Sequence, residues 1–192
     1  MKYIIVSFGI YAQCILAENN AYQQFQEYMS INGGRILTIS INQNQNGNRF
    51  HLNGTLYYFG DHYYTYDDQN QRITYDYAEI TTINKITKQV IYDNNIVNEP
   101  NILDILTGQK SMMEIGEIIF EKNGFRIPFE ISSLDISGIL WTTPDTGEPK
   151  KIKIKYLEDT EIQLSIISSE LFRDKNIAKI NTAEYEIINL RE

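Results

Sequence analysis

Cysteine, histidine and proline are all scarce in this sequence. Among 192 residues there are one cysteine, two histidines and four prolines. A single cysteine excludes a disulfide within the chain. So few prolines, in a sequence with little low-complexity character, argue against disorder. The length suits one domain that is large enough to bury a sizeable core.

Positive charge is also limited. The 17 lysines and arginines face 25 aspartates and glutamates, which gives a formal net charge of −8 and a pI near 4.8. Nucleic-acid binders present a basic surface, so this balance predicts no nucleic acid as a partner. It counts equally against electrostatic adsorption to an anionic membrane.

Long apolar runs are missing, but a short one stands at the start of the chain. Tyr3 to Ala17 contains no charged residue, follows Lys2 and precedes the polar Glu18. This pattern predicts a secretory signal peptide over residues 1–17, with cleavage after Ala17 and a single domain over residues 18–192. The run is too short to span a bilayer. The alternative is a buried N-terminal strand or helix.

The one cysteine, Cys14, lies inside this run. Cleavage would therefore leave a chain without cysteine and without thiol chemistry. Lipid attachment at Cys14 is an alternative. The preceding residues Tyr11, Ala12 and Gln13 disfavour it, because they lack the expected leucine and the small residue directly before the cysteine.

Aromatic residues, in contrast, are plentiful. They make up 12% of the chain, and 14 of them are tyrosines, which favours a β-rich protein. Apolar and polar residues alternate on both sides of Gly60-Asp61, which predicts an aromatic β-hairpin over Phe50–Tyr66. The residues expected on its apolar face are Phe50, Leu52, Leu56, Tyr58, Tyr64 and Tyr66.

The rest of the chain predicts two helices and further short strands. The first helix begins at Asn19 or Asn20 and ends near Ser30, and the second is opened by Asn98 and Pro100. A polar turn is expected over residues 42–48 and a strong hairpin turn at 123–124. Strands are expected over 36–41, 72–77, 79–83, 88–92, 116–121, 125–131, 138–142, 151–157, 160–168 and 182–189. The predicted fold is an all-antiparallel sheet that curls.

Signals of catalysis are sparse. His51 and His62 both lie in the aromatic hairpin, and no carboxylate or cysteine cluster stands around them at metal-ligand spacing. There is no glycine-rich phosphate loop and no nucleophile elbow. The sequence therefore predicts no enzyme activity, no metal and no cofactor, and ordinary strand positions for both histidines. A hydrolase whose site the sequence does not reveal is an alternative.

The apolar faces of the predicted strands allow two interpretations. A sheet curled around a cavity, with helices as a lid, is one way to build a carrier of apolar ligands. A filled core in a secreted binding module is the other, and periodicity alone favours it.

The order of motifs resembles the LolA family of periplasmic carriers of outer-membrane lipoproteins. The resemblance rests on Gly54-Thr55-Leu56-Tyr57 leading to Tyr63-Tyr64-Thr65-Tyr66, on Lys88-Gln89-Val90, and on the Pro100–Leu106 segment, which is similar to the family's lid helix. It is specific from about residue 54 to residue 106, and the C-terminal half fits by strand pattern only.

This resemblance implies a fold, a function and partners. The fold is an incomplete, half-open antiparallel β-barrel with a lid of short helices. The function is a periplasmic carrier that holds lipoprotein acyl chains in an apolar cavity. The partners are lipoproteins, an inner-membrane lipoprotein-releasing ABC transporter and an outer-membrane lipoprotein receptor, met by a monomeric carrier. The implied lid residues are Ile102, Ile105 and Leu106.

The sequence departs from the family's pattern in two places. Many members carry a Lys-Arg-Pro-like turn in the aromatic hairpin, whose arginine bonds to the lid, whereas this chain has Phe59-Gly60-Asp61. The family's Asp-Gly turn is replaced by Asp76-Tyr77. The lid-latching arginine is therefore not carried over to this chain.

Overall fold

The computed structural model describes residues 21–45, 47–60, 63–94, 105–106, 113–156, 160–173 and 176–191. In this part of the chain thirteen strands form one sheet, and a helix, α1, covers residues 21–29. The strands are β1 (Arg35–Gln45), β2 (Asn48–Tyr58), β3 (Tyr63–Asp68), β4 (Gln71–Asp76), β5 (Glu79–Asn84), β6 (Gln89–Asn94), β7 (Glu114–Ile115), β8 (Ile119–Glu121), β9 (Gly124–Ile131), β10 (Ile136–Thr142), β11 (Pro149–Tyr156), β12 (Thr160–Leu171) and β13 (Glu186–Asn189).

The sheet is continuous but does not close. Its strand order is β13-β6-β5-β4-β3-β2-β1-β12-β11-β10-β9-β7, with β8 paired to β9, and within the described residues the two ends do not pair with each other. This architecture is an open β-barrel with a short helix, so the predicted fold class is confirmed. Helical residues in the described part of the chain form no segment long and apolar enough to cross a membrane.

One strand contradicts the expectation of an all-antiparallel sheet. β13 runs parallel to β6, with Glu186 opposite Gln89 and Asn189 opposite Tyr92. Parallel neighbours cannot be joined by a tight turn. Residues 95–185 separate β6 from β13, and the last part of this connection, the crossover, follows β12 and leads to β13. Alternation along a strand reveals which face is apolar but not which direction the neighbouring strand takes, so the sequence pattern missed this pairing.

The crossover passes over the convex face of the sheet. At its start the Phe172 ring contacts the rings of Tyr57 and Phe59, with centroids 6.1 and 4.8 Å away. Further along, the carbonyl oxygen of Ala178 accepts a hydrogen bond from Arg72. These contacts hold the C-terminal segment across the sheet before it adds β13 at the edge.

The predicted polar turn over residues 42–48 is also wrong. β1 and β2 stay paired as far as Gln45 opposite Asn48, so the Asn- and Gln-rich residues extend a long hairpin. An antiparallel ladder tolerates polar side chains on a wetted face. The expected hairpin at 123–124 is confirmed, since β8 and β9 pair up to Glu121 opposite Gly124.

The core lies between the concave face of the sheet and α1. The apolar face of α1 is fully buried at Ala21, Phe25 and Met29, as the predicted spacing of four requires. The β9 strand alternates cleanly, with Phe125, Ile127, Phe129 and Ile131 buried. The other main contributors are Leu37, Ile39, Leu56, Tyr58, Tyr64, Tyr66, Tyr75, Leu140, Ile152, Ile154 and Leu164.

Both ends of α1 are fixed by specific contacts. Near its start, a methyl group on Gly147 would lie 2.3 Å from the backbone carbon of Gln24, so the turn between β10 and β11 touches the helix backbone directly. Near its end, the guanidinium of Arg35 stacks 3.4 Å from the ring centre of Tyr28 and donates to the Tyr28 carbonyl oxygen. The Tyr28 hydroxyl donates to Ser169 on β12 over 2.7 Å.

Candidate functional site

Four of the predicted ligand-binding residues form one patch on the concave face. Leu56 and Tyr58 of β2 lie opposite Tyr66 and Tyr64 of β3, and all four side chains are buried. Tyr64 is stacked in parallel on Tyr75 of β4, with ring centroids 4.9 Å apart. The aromatic hairpin therefore presents its apolar face to the core as the alternation predicts.

Phe50 and Leu52 lie further along the same face but in different surroundings. β3 pairs with β2 only from Gly54 onward, so the part of the hairpin that carries Phe50 projects beyond its neighbour. Phe50 is 53% exposed and borders an open groove of about 490 Å³ with polar neighbours. Leu52 is half-buried. The structure does not bring Phe50 together with the buried patch.

The predicted lid falls mostly outside the described residues. Ile102 belongs to that part. Ile105 and Leu106 are helical and buried, and both belong to the same core cluster as the hairpin residues. Met113, which the sequence did not single out, is buried in this cluster as well.

Arg35 is the main residue that sequence reasoning missed. It stands on the concave side at the start of β1, opposite Tyr58, and is only 7% exposed. Burial lowers the pKa of this guanidinium, while Tyr28 and Glu148 act in the opposite direction. A lone arginine before an apolar strand gives no sequence signal of burial. The one available indication of a structural role was its position shortly after a helix, because cationic side chains favour helix C-termini.

A polar pair interrupts the apolar face beside the patch. The Tyr66 hydroxyl and the Asp68 Oδ2 atom are both buried, and neither makes a hydrogen bond of ordinary geometry, although the hydroxyl interacts with the Asp68 carboxylate. The other carboxylate oxygen of Asp68 accepts from the backbone N–H groups of Asn70 and Gln71, at 2.7 and 2.8 Å. Desolvation by burial, followed by the charge of Asp68, raises the pKa of Tyr66, so its hydroxyl stays protonated at neutral pH.

The described residues show no arrangement that is typical of a metal centre. No group of three or more His, Cys, Asp and Glu side chains among them could hold a metal ion. His51 is exposed, and its two ring nitrogens are 2.9 Å from Asn42 Oδ1 and 3.2 Å from Asn53 Nδ2. It is an ordinary strand residue, as predicted. His62 and Cys14 lie outside the described residues.

No family model matches the sequence, and no curated protein sequence matches it either. The fold is similar to that of an uncharacterized conserved protein from Thermus thermophilus, with a TM-score of 0.55 and 7% identity over 89% of this chain and 98% of that chain. At this level the similarity shows a shared fold alone.

The chain is also similar to a solved LolA superfamily protein from Nitrosomonas europaea. The TM-score is 0.47 and the identity 7%, over 83% of this chain and 94% of that one. A putative outer membrane lipoprotein-sorting protein domain from Vibrio parahaemolyticus gives a TM-score of 0.46 and 8% identity, over 83% of this chain and 95% of that one.

Proposed function

We propose that this protein is a periplasmic carrier of acyl chains, and that lipoproteins are its cargo. The observation that carries the proposal is how the concave face is covered. In the described part of the chain its cover comes from α1 and the helical residues 105–106, whereas a sandwich would use a second sheet. The hydrogen bonds of a helix lie within the helix and those of a sheet lie within the sheet, so such a cover can move away with the sheet left intact.

The chemistry of the face suits this cargo. Each methylene transferred out of water contributes about 0.8 kcal/mol, so several acyl chains bare in the periplasm would cost on the order of tens of kcal/mol. A face of Leu56, Tyr58, Tyr64 and Tyr66, closed by Ile105 and Leu106, replaces water with apolar contacts and requires no covalent step. Leu52 and Phe50 would extend this face beyond its buried part, and Ile102 remains a proposed lid residue outside the described part of the chain.

The resemblance to the LolA family adds the direction of transport. A monomeric carrier would receive lipoproteins from an inner-membrane lipoprotein-releasing ABC transporter and deliver them to an outer-membrane lipoprotein receptor. A signal peptide over residues 1–17 would place it in the periplasm. No catalytic residue and no cofactor take part in this cycle.

A secreted binding module with a filled core is the second candidate. The observation that favours it is the near-complete burial of Leu56, Tyr58 and Tyr64, each at most 1% exposed. In a binding module this packing is permanent, whereas in a carrier it describes the closed state.

Affinity for saturated fatty acids of increasing length separates the two candidates. For the carrier we expect 1:1 binding in calorimetry, with a dissociation constant that falls about fourfold for each added methylene, since about 0.8 kcal/mol is gained each time. A filled core predicts binding that does not depend on chain length, or none. That result would rule out the carrier.

A further inference from the structure

Gly54 has no side chain on the concave face, and the ring of Tyr66 occupies the space above its Cα atom. It lies in the interior of β2, between Ile39 and Asp68 on the neighbouring strands. A methyl group at this position would lie 2.5 Å from Cε2 and 2.6 Å from the hydroxyl oxygen of Tyr66, and the third nearest atom also belongs to that ring. The Tyr66 ring thus occupies the space that a side chain at residue 54 would take.

The backbone does not explain the glycine at this position. Gly54 is not among the residues with a positive φ, so any amino acid could adopt its conformation. Glycine within a strand weakens it, and it often marks a place where a ligand or another backbone comes close. The three atoms nearest to a methyl group at residue 54 all belong to the Tyr66 side chain, and none is a backbone atom. The glycine is therefore explained either by the Tyr66 ring or by a ligand that takes the place of this ring.

Gly138 on β10 provides the contrast. A methyl group there would lie 2.2 Å from the Phe129 ring, but also 2.7 Å from the backbone carbonyl oxygen of Lys153. That carbonyl is part of the sheet and cannot move aside, so Gly138 is required whatever Phe129 does. The space over Gly54 differs because a side-chain rotation alone would open it.

The Tyr66 hydroxyl is poorly accommodated in the closed structure. It is buried on a residue that is only 4% exposed, and its interaction with the Asp68 carboxylate falls short of a hydrogen bond of ordinary geometry. Asp68 Oδ2 makes no hydrogen bond of ordinary geometry either. A buried hydroxyl in this position recovers only part of its lost hydration, so rotation that returns it to water or to a polar ligand group is favoured.

We infer that the space over Gly54 is a slot for one hydrocarbon chain, closed by the Tyr66 ring when no ligand is bound. The ring rotates away, the chain lies along the backbone of Gly54, and the hydroxyl meets water or the polar end of the ligand. The inference rests on the proposed carrier function, since it assigns the place of one chain on the same face.

Two kinds of substitution at Tyr66 test the slot, with palmitate as the probe in calorimetry. Tyr66→Phe keeps the ring and removes the buried hydroxyl, so the closed state is favoured and the dissociation constant should rise about tenfold. Tyr66→Ala removes the ring, and the dissociation constant should fall about tenfold. Adding Gly54→Leu to Tyr66→Ala refills the slot, so the dissociation constant should return to about the wild-type value.

Tyr57→Phe is the control, because Tyr57 lies on the same strand as Gly54 but on the convex face, where its ring contacts Phe172. It should leave the dissociation constant unchanged. If the wild type binds palmitate and Tyr66→Phe binds it with the same dissociation constant, the slot is ruled out but the carrier function is not. A folded wild-type protein that binds no palmitate would overturn both. Tyr66→Phe decides the matter even if Tyr66→Ala does not fold.

Discussion

At the scale of single residues, Asp67 connects four parts of the convex side. Its carboxylate oxygens lie 2.5 Å from Arg72 on β4 and 2.5 Å from Lys85 in the turn after β5. Arg72 also reaches the carbonyl oxygen of Ala178 in the C-terminal crossover, and Lys85 reaches that of Asp68. One carboxylate therefore links β3, β4, a turn and the crossover.

This arrangement predicts an acid-sensitive contribution to stability. Although burial alone would raise it, the bonds from Arg72 and Lys85 lower the pKa of Asp67 below its ordinary value of 3.8. A carboxyl whose pKa is lowered by folding stabilises the protein above the unfolded-state pKa, and this contribution is lost as the pH falls through the folded-state pKa.

Asp67→Asn should therefore reduce the free energy of unfolding by about 1–2 kcal/mol at pH 7, allowing for partial exposure of the ion pairs. The difference from wild type should shrink as the pH falls below 3.8. Urea unfolding at several pH values measures this. Asp145→Asn, in an exposed turn, should change little at any pH. A loss for Asp67→Asn that is the same at pH 3 and pH 7 would show that the carboxylate's charge plays no part.

Sequence reasoning at the residue scale located the faces but not the exceptions. Alternation correctly placed Leu56, Tyr58, Tyr64 and Tyr66 on the concave side. It could not reveal that Phe50 lies past the end of β3, because strand ends depend on pairing between distant segments. Tyr77, which stands where the resemblance expects the glycine of an Asp-Gly turn, has a φ of 49°. The turn geometry is present without its usual residue.

At the scale of elements, α1 is the part of the cover that the structure describes most fully. The turn that contains Gly147 presses on its backbone, and Arg35 and Ser169 hold its other end. The helix itself was predictable, because Ala21, Phe25 and Met29 recur at spacing four. Its contacts were not, because the turn at Gly147 and Ser169 lie more than a hundred positions away from it.

Gly147→Ala tests how much the first of these contacts holds the helix in place. Gly147 has a φ of +70° and its methyl group would lie 2.3–2.5 Å from the backbone of Gln24 and Phe25. Gly47 is the matched control, since its φ of +79° imposes the same strain while nothing lies within 4 Å. We expect Gly47→Ala to lower the free energy of unfolding by about 1 kcal/mol and Gly147→Ala by about 2 kcal/mol more.

Hydrogen exchange shows where the additional loss arises. Amides of α1 near Phe25 and Met29 should exchange faster in Gly147→Ala and at the wild-type rate in Gly47→Ala. Equal losses of stability in the two variants would show that the contact with the helix contributes nothing beyond backbone strain.

The element order was largely predictable, whereas the pairing direction at one edge was not. Antiparallel neighbours follow one another along the chain through short turns, so the meander from β1 to β6 could be inferred from alternation and turn residues. β13 pairs with β6 in parallel, although the two strands lie far apart in the sequence. A local pattern carries no information on such a partner.

At the scale of the whole molecule, the proposed carrier function depends on an open sheet with a helical cover. The ends of the sheet do not pair in the described chain, so the concave face depends on α1 and on residues such as Ile105 and Leu106 for its closure. Covers of this kind separate from a sheet without breaking its ladder of hydrogen bonds. Under the proposed function, uptake and release of a ligand would therefore leave the sheet intact.

Native mass spectrometry of the protein isolated from a bacterial periplasm can determine whether the concave face holds acyl chains. The proposed function predicts a species whose mass exceeds that of the processed chain by one lipid or lipoprotein, and which loses that mass when detergent is added. A protein that carries only its own mass, and that gains none after incubation with acylated lipoprotein, would rule out the proposed function.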